Sequence, residues 1–151
     1  MREDLAIEAR NKAGNYFREG YNCAEAIFLT FREYLAPETP REAVKMTTGL
    51  GGGLGHAGCM CGALTGSVLA MGLLKGRTSA EKEREPMYDA ASGFHDRFIE
   101  KFGYTCCRAL NPHPFETPEH LKNCLKITGN TAMLLTSYLD EKGLWPGLYD
   151  K

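Results

Sequence analysis

The sequence predicts a single all-α domain over residues 1–151, built as a bundle of five to six helices. Apolar residues recur at helical spacing along most of the chain, and no segment shows the strict alternation of a half-buried strand. Glycine and proline separate the helical segments. A chain of 151 residues has about the length of one domain and buries about two thirds of its unfolded surface, so it can fold without disulfides.

The first two helices are predicted to meet at Gly20. Residues 4–19 place apolar side chains at helical spacing, and Gly20 ends this helix. Asn22 then suits the cap position of a second helix, Cys23–Leu35. Glu25 stands three residues after Asn22, which is the pattern of a capping box.

Proline and glycine also delimit the middle of the chain. Pro37 and Pro40 end the second helix, and Pro40 occupies the first position of a third helix that ends near Thr48. A glycine-rich loop follows. The next helix, residues 61–74, is apolar on nearly every face, so we expect it to be the central and most buried helix of the bundle.

Two further helices complete the bundle. Residues 79–102 form a helical pattern that Pro86 is expected to kink or divide, and Gly103 ends it. The last long helix begins at Thr117, which caps it ahead of Pro118, and runs to about residue 140.

Composition excludes several classes of function. The net charge is −1 and the basic residues form no block, so we expect no nucleic-acid binding. The longest apolar run falls short of the roughly 20 residues that span a bilayer, so we expect no membrane insertion. The N-terminal residues lack the apolar stretch of a signal peptide. The sequence therefore predicts a cytoplasmic protein.

The chain is rich in cysteine, with six in 151 residues. A reducing cytoplasm disfavours structural disulfides, so metal binding or redox chemistry becomes the leading interpretation. The alternative for any one of them is a small buried apolar residue. The six are Cys23, Cys59, Cys61, Cys106, Cys107 and Cys124.

Positions along the predicted helices indicate which thiols can share a site. Cys23 and Cys61 stand at helix N-termini, which stabilise a thiolate, so both should be acidic where accessible. Cys106 and Cys107 are adjacent, and at most one of them should face a shared site. Cys124 lies on the inward stripe of the last helix. No C-x-x-C spacing is present, so residue chemistry alone indicates a thiol-based redox or metal site without specifying it.

The glycine-rich loop contains the pattern G-x-G-x-x-G over residues 53–58. The dinucleotide-binding motif needs a preceding strand, which is lacking here, so nucleotide binding is not favoured. Glycines also let backbone N–H groups approach an anionic group, such as an iron–sulfur cluster held by thiolates. We therefore expect Gly53, Gly55 and Gly58 to close over the site, with Cys59 at its rim and His56 nearby. Close helix packing is the alternative role for glycines in this region.

Several segments together resemble a known family. The stretches "YNCAEA", "GLGGGLG", "CGALTG" and "FGYTCCRAL", with a late cysteine, occur in the order seen in the C-GCAxxG-C-C family of redox-active bacterial proteins. This chain reads C-G-A-x-x-G in the central element. The resemblance implies a redox role and a bound iron–sulfur cluster or similar metal centre. It assigns the four characteristic cysteines to Cys23, Cys61, Cys107 and Cys124, and Cys59, Cys106 and His56 remain additional candidate ligands.

Three functions follow as hypotheses. The first is electron transfer through an iron–sulfur cluster bound by cysteines from several helices. The second is a cofactor-free thiol–disulfide oxidoreductase or redox sensor, and the third is a zinc-binding or metal-carrier protein. Enzymatic activity, if present, would be that of an oxidoreductase. We expect a redox partner protein, which the sequence does not identify, and a homodimer that covers leftover apolar surface.

Overall fold

The computed structural model describes residues 2–146, which form helices joined by short connections. Within that range lie seven α-helices and one 3₁₀-helix, and no strand beyond an isolated antiparallel bridge between Met60 and Cys106. The predicted all-α class is therefore confirmed. The α-helices are α1 (Arg2–Arg18), α2 (Cys23–Leu35), α3 (Gly51–Leu54), α4 (Gly62–Lys75), α5 (Glu85–Phe102), α6 (Cys107–Leu110) and α7 (Pro118–Glu141), and the 3₁₀-helix Arg41–Leu50 lies between α2 and α3.

The predicted count of five to six helices is wrong because α3 and α6 are additional single turns. Each has four residues, too few to show apolar periodicity. Helix α3 consists of three glycines and a leucine, a composition that predicts a loop. Helix α6 begins at Cys107, and α3 lies next to α2.

Two segment boundaries also differ from the prediction. The third segment is a 3₁₀-helix, and it extends to Leu50 rather than ending near Thr48. Helix α5 begins at Glu85 instead of residue 79, with Pro86 in its first turn. Proline is tolerated there because the first-turn N–H groups have no partner within the helix, so Pro86 starts the helix rather than kinking it.

Helix α2, not α4, is the most enclosed element of the fold. Ten of its thirteen residues are buried, and its capping box between Asn22 and Glu25 is formed as predicted. Helix α4 packs closely against α2, but Val68 and Leu74 on α4 are only partly buried. The expectation that residues 61–74 form the central, most buried helix is thus not supported.

The remaining long helices close the core around α2 and α4. Helices α1 and α7 pack along each other, and α5 packs against α4 and α7. Phe94 and Phe98 of α5 are fully buried, and the Tyr138 hydroxyl of α7 donates a 2.9 Å hydrogen bond to the Ala90 carbonyl. None of the helices formed by residues 2–146 is long and apolar enough to cross a membrane.

Candidate functional site

The glycine-rich segment folds into a left-handed turn. Every residue from Gly52 to His56 has a positive φ, between 62° and 71°. This region costs a residue with a side chain about 1–2 kcal/mol, and the three glycines among the five keep the total cost low. Hydrogen bonds from the Gly55 N–H to Gly51 O (2.8 Å) and from the Cys59 N–H to Gly53 O (3.0 Å) hold the turn.

This turn aims a backbone donor at the sulfur of Cys23, the first residue of α2. The backbone N–H groups of Gly52 and Ala24 lie near that sulfur and lower its pKa. The side chain of Cys124, on α7, lowers the pKa of Cys23 most. Groups from three parts of the chain therefore converge on one sulfur atom.

The interaction between Cys23 and Cys124 shifts the pKa values of the two thiols in opposite directions. The pKa of Cys23 is lowered chiefly by the Cys124 hydrogen bond and further by the backbone N–H groups, although burial opposes the shift. The pKa of Cys124 is raised, first by the same hydrogen bond and then by burial. The pair thus favours a thiolate at Cys23 that accepts a hydrogen bond from the protonated thiol of Cys124.

Cys61 behaves differently from the prediction. It caps the N-terminus of α4 and is 6% exposed. Burial, followed by the negative charge at Cys23, raises the pKa of Cys61 to about 12, although the N–H groups of Ala63 and Leu64 act in the opposite direction. The acidity expected of an accessible Cys61 does not arise, because the thiol is buried and desolvation of the thiolate outweighs the stabilisation by the helix N-terminus.

Cys107 is the member of the adjacent cysteine pair that points inward. It is buried at the start of α6, whereas Cys106 is exposed. Burial and the charge at Cys23 raise the pKa of Cys107. The close approach of α6 to the left-handed turn requires Gly53, because a Cβ there would lie 2.8 Å from the Cys107 Cβ and 2.6 Å from the Cys59 nitrogen.

The structure brings together the four cysteines that the family resemblance singles out. Ionisation of Cys23, Cys61 or Cys107 would in each case raise the pKa of the Cys124 thiol, so these four thiols lie near one another. The two remaining cysteines, Cys59 and Cys106, are exposed. They lie outside this buried group.

The three glycines predicted to close over the site, Gly53, Gly55 and Gly58, lie in different surroundings. Gly53 provides space for Cys107, and Gly58 lies against Arg108, where a Cβ would be 2.9 Å from the guanidinium Nη2. At Gly55 the requirement is a left-handed backbone, since an added Cβ would meet nothing within 4 Å. The donor to Cys23 is Gly52, which the sequence analysis missed because the direction of a single N–H cannot be read from a run of glycines.

A cleft of about 560 Å³ opens beside Cys23 and Cys124. Its lining combines aromatic and aliphatic side chains with two basic ones, Arg18 and Lys122. The Phe115 ring lies in this lining, between the two histidines of the cleft. The thiolate–thiol pair is therefore accessible from a pocket rather than from an open surface.

The two histidines of the cleft differ in their surroundings. His56 stacks on Phe115 at a centroid distance of 4.3 Å, and its Nε2 lies 3.4 Å from a Glu116 carboxylate oxygen. His120 is 6% exposed, and neither of its ring nitrogens has a hydrogen-bond partner among residues 2–146. Burial, followed by the neighbouring His56, lowers the pKa of His120. No pattern in the sequence marks His120 as a functional residue.

The donor set does not form a ready-made site for a single metal ion. Zinc binds thiolate sulfurs at about 2.3 Å in a tetrahedron, which places the sulfurs about 4 Å from one another. In the part of the chain that the structure describes, no group of three or more His, Cys, Asp or Glu side chains could hold a metal ion. The folded arrangement thus gives the zinc hypothesis no support.

The raised pKa of Cys61 predicts a loss of stability at alkaline pH. The native thiol keeps its proton up to about pH 12, whereas an unfolded cysteine loses it near its ordinary pKa of 9.0. The stabilisation is therefore complete below pH 9 and is lost as the pH rises towards 12. Between pH 9 and 12 the free energy of unfolding should fall more steeply with pH in the unsubstituted protein than in Cys61→Ala. The two slopes should differ by about 1.4 kcal/mol per pH unit.

Urea denaturation of the reduced, metal-free protein at several pH values above 9 measures this slope. Cys59→Ala serves as the control, because Cys59 is exposed and its replacement should leave the slope as in the unsubstituted protein. Equal slopes in the unsubstituted protein and in Cys61→Ala would contradict the assignment of a buried, protonated thiol.

Comparison with known proteins identifies a matching family and one related sequence. The model of the family described as "Putative redox-active protein (C_GCAxxG_C_C)" matches residues 21–138. A protein of Archaeoglobus fulgidus, described as "Uncharacterized protein", is 26% identical over 147 residues, which cover 91% of this chain and 97% of that protein. No solved structure matches the chain. The family match includes all six cysteines and the whole left-handed turn.

Proposed function

This chain belongs to the C-GCAxxG-C-C family of redox-active proteins, and on that premise we propose that Cys23 and Cys124 are its working dithiol. In this proposal Cys23 is the attacking thiolate and Cys124 is the resolving thiol. The observation that supports it is that Cys23 and Cys124 lie side by side in the lining of one cleft, where their interaction lowers the pKa of Cys23 and raises that of Cys124. A thiolate beside a protonated thiol is the arrangement that disulfide exchange needs.

The reaction consumes one external disulfide. The Cys23 thiolate attacks one sulfur of that disulfide, a Cys23–S bond forms, the external S–S bond breaks, and one thiolate leaves with the proton of Cys124. The Cys124 sulfur then attacks Cys23, which expels the second external thiolate. Two electrons pass from the dithiol to the external disulfide, and a Cys23–Cys124 disulfide remains. An external dithiol reverses both steps.

The C-G order of this chain at Cys61 and Gly62 fits this proposal. A Cβ on Gly62 would lie 2.5 Å from the Cys23 sulfur and 2.9 Å from the Leu50 carbonyl oxygen. Only glycine leaves the Cys23 sulfur its place against α4. The N–H groups around that sulfur are fixed before any reaction, so they stabilise the thiolate without further reorganisation of the backbone.

Electron transfer through an iron–sulfur cluster is a second candidate, because the dithiol reaction leaves two of the four converging thiols without a role. Cys61 and Cys107 lie close enough for the charge at Cys23 to raise the pKa of each. These two residues, with Cys23 and Cys124, would hold the cluster, which supplies one-electron redox chemistry when bound. The fixed N–H donors at Cys23 would stabilise its ligating thiolate and tune the reduction potential.

Anaerobic purification with analysis of iron, acid-labile sulfide and thiols separates the two candidates. For the dithiol we expect colourless protein without stoichiometric iron, in which mild oxidation consumes two thiols per chain. Cys61→Ser and Cys107→Ser should keep that two-thiol oxidation. Brown protein with stoichiometric iron and sulfide, both lost in these two variants, would overturn the dithiol proposal in favour of the cluster.

A further inference from the structure

We propose that the cleft beside Cys23 and Cys124 binds a small anionic disulfide, and that this molecule, rather than a protein disulfide, is the substrate of the dithiol. This inference rests on the proposed function, because it names the substrate class of the same pair of thiols. Three observations support it. The reacting sulfur of Cys23 is buried at the cleft, the cleft lining carries two cations, and the buried His120 ring has no hydrogen-bond partner among residues 2–146.

The first argument is access to the sulfur. Cys23 is only 4% exposed, and it lines a cleft of about 560 Å³. Clefts that bind small molecules have about 300–1,000 Å³. A disulfide on a folded protein surface cannot enter a cleft of this size far enough to reach Cys23, because the attack needs contact between the sulfurs.

The second argument is the charge of the cleft lining. Arg18 and Lys122 contribute two permanent positive charges. The acidic residue of the lining, Glu116, lies against the His56 ring with 3.4 Å between its Oε1 and the His56 Nε2. The reacting sulfur is itself negative and would repel an anionic substrate, so two cations in the lining are what such a substrate needs to approach.

The third argument is His120, which lines the same cleft. Its side chain is more than nine-tenths buried, and both ring nitrogens lack a hydrogen-bond partner within residues 2–146. Such a group costs stability unless something satisfies it. A bound molecule with carboxylate or amide groups supplies the partner that the folded chain does not, while Phe17 and Leu125 provide apolar contact.

Rates with three small alkyl disulfides test the charge preference. The reduced protein is mixed with glutathione disulfide, which is anionic, with 2-hydroxyethyl disulfide, which is neutral, or with cystamine, which is cationic. Each rate is divided by the rate of the same disulfide with dithiothreitol. We expect glutathione disulfide to exceed cystamine by about tenfold or more at low salt, and the ratio to shrink as salt is added.

Two matched substitutions test the lining. Lys122→Gln should lower the rate with glutathione disulfide several times more than it lowers the rate with the neutral disulfide. Lys126→Gln, one turn further along α7 and outside this cleft, is its control and should change neither rate. His120→Phe should raise the half-saturation concentration for glutathione disulfide severalfold, because binding is weaker, without lowering the maximal rate. The same variant should keep or raise the urea midpoint, whereas a purely structural histidine would lower it.

The outcomes separate this inference from the proposed function. If the Cys23–Cys124 disulfide forms, but cystamine or the disulfides of insulin react as fast as glutathione disulfide after normalisation, the substrate inference is overturned and the dithiol stands. Unchanged binding in His120→Phe together with a lowered urea midpoint also overturns it. If no disulfide of any charge or size oxidises Cys23 and Cys124, the proposed function itself fails.

Discussion

Cys23→Ser should reduce the reaction with glutathione disulfide to the background rate of the buffer. A serine hydroxyl is not ionised at neutral pH and does not attack a disulfide, so the reaction loses its nucleophile. Release of glutathione, followed under anaerobic conditions, measures this rate. Cys59→Ser and Cys106→Ser change two exposed thiols outside the buried group, and both variants should keep the full rate.

Cys124→Ser should give a different result from Cys23→Ser. Cys23 can still attack, but no resolving thiol remains, so the reaction stops at a mixed disulfide that mass spectrometry detects on Cys23. The attack itself should be slower at neutral pH, because the Cys124 hydrogen bond is the largest cause of the lowered Cys23 pKa. Full turnover in Cys124→Ser, or a mixed disulfide on Cys61 instead, would contradict the assigned roles.

Gly66→Ala and Gly72→Ala, both on α4, should change the stability in opposite directions. A Cβ on Gly66 would lie 2.8 Å from the Ala24 carbonyl oxygen and 3.0 Å from its Cα, which are backbone atoms of α2 that cannot turn away. Forced separation of the two helices should lower the free energy of unfolding by about 1–3 kcal/mol. Gly72 has no neighbour within 4 Å of such a Cβ, so alanine there should stabilise the helix by about 0.5–1 kcal/mol.

Denaturant unfolding of both variants measures the difference, which should reach about 1.5–4 kcal/mol and appear as a shift in midpoint without a change in slope. The effect also bears on the site, because α4 and α2 carry Cys61 and Cys23 at their N-termini. Equal stability of the two variants would show that the close contact between α2 and α4 is not a feature of the folded protein.

Local signals in the sequence predicted the elements that carry the site. The bounds of α2 and its capping box follow from Asn22 and Glu25, which act within one turn of the chain. The adjacency of Cys106 and Cys107 predicts that at most one of them faces inward, and the family resemblance points to Cys107, which is the buried one. These features depend on residues close in sequence, which is why they could be read before the structure.

The electrostatics of the site could not be predicted in the same way. The raised pKa of Cys61 results from burial by other helices, and burial is a property of the whole fold. The Gly52 N–H reaches Cys23 only because five successive residues adopt a left-handed conformation. His120 occupies an ordinary position in the first turn of α7. That its ring nitrogens lack a hydrogen-bond partner among residues 2–146 is a property of the folded chain and cannot be predicted from the sequence.

Mapping the disulfide after oxidation tests the central claim most directly. The reduced protein, stripped of metal by a chelator, is oxidised with glutathione disulfide, blocked with an alkylating agent, digested and analysed by mass spectrometry. The account predicts one intramolecular disulfide, between Cys23 and Cys124, which dithiothreitol reverses, while the other four cysteines are alkylated. A disulfide between the exposed Cys59 and Cys106, with Cys23 and Cys124 both recovered as thiols, would contradict it.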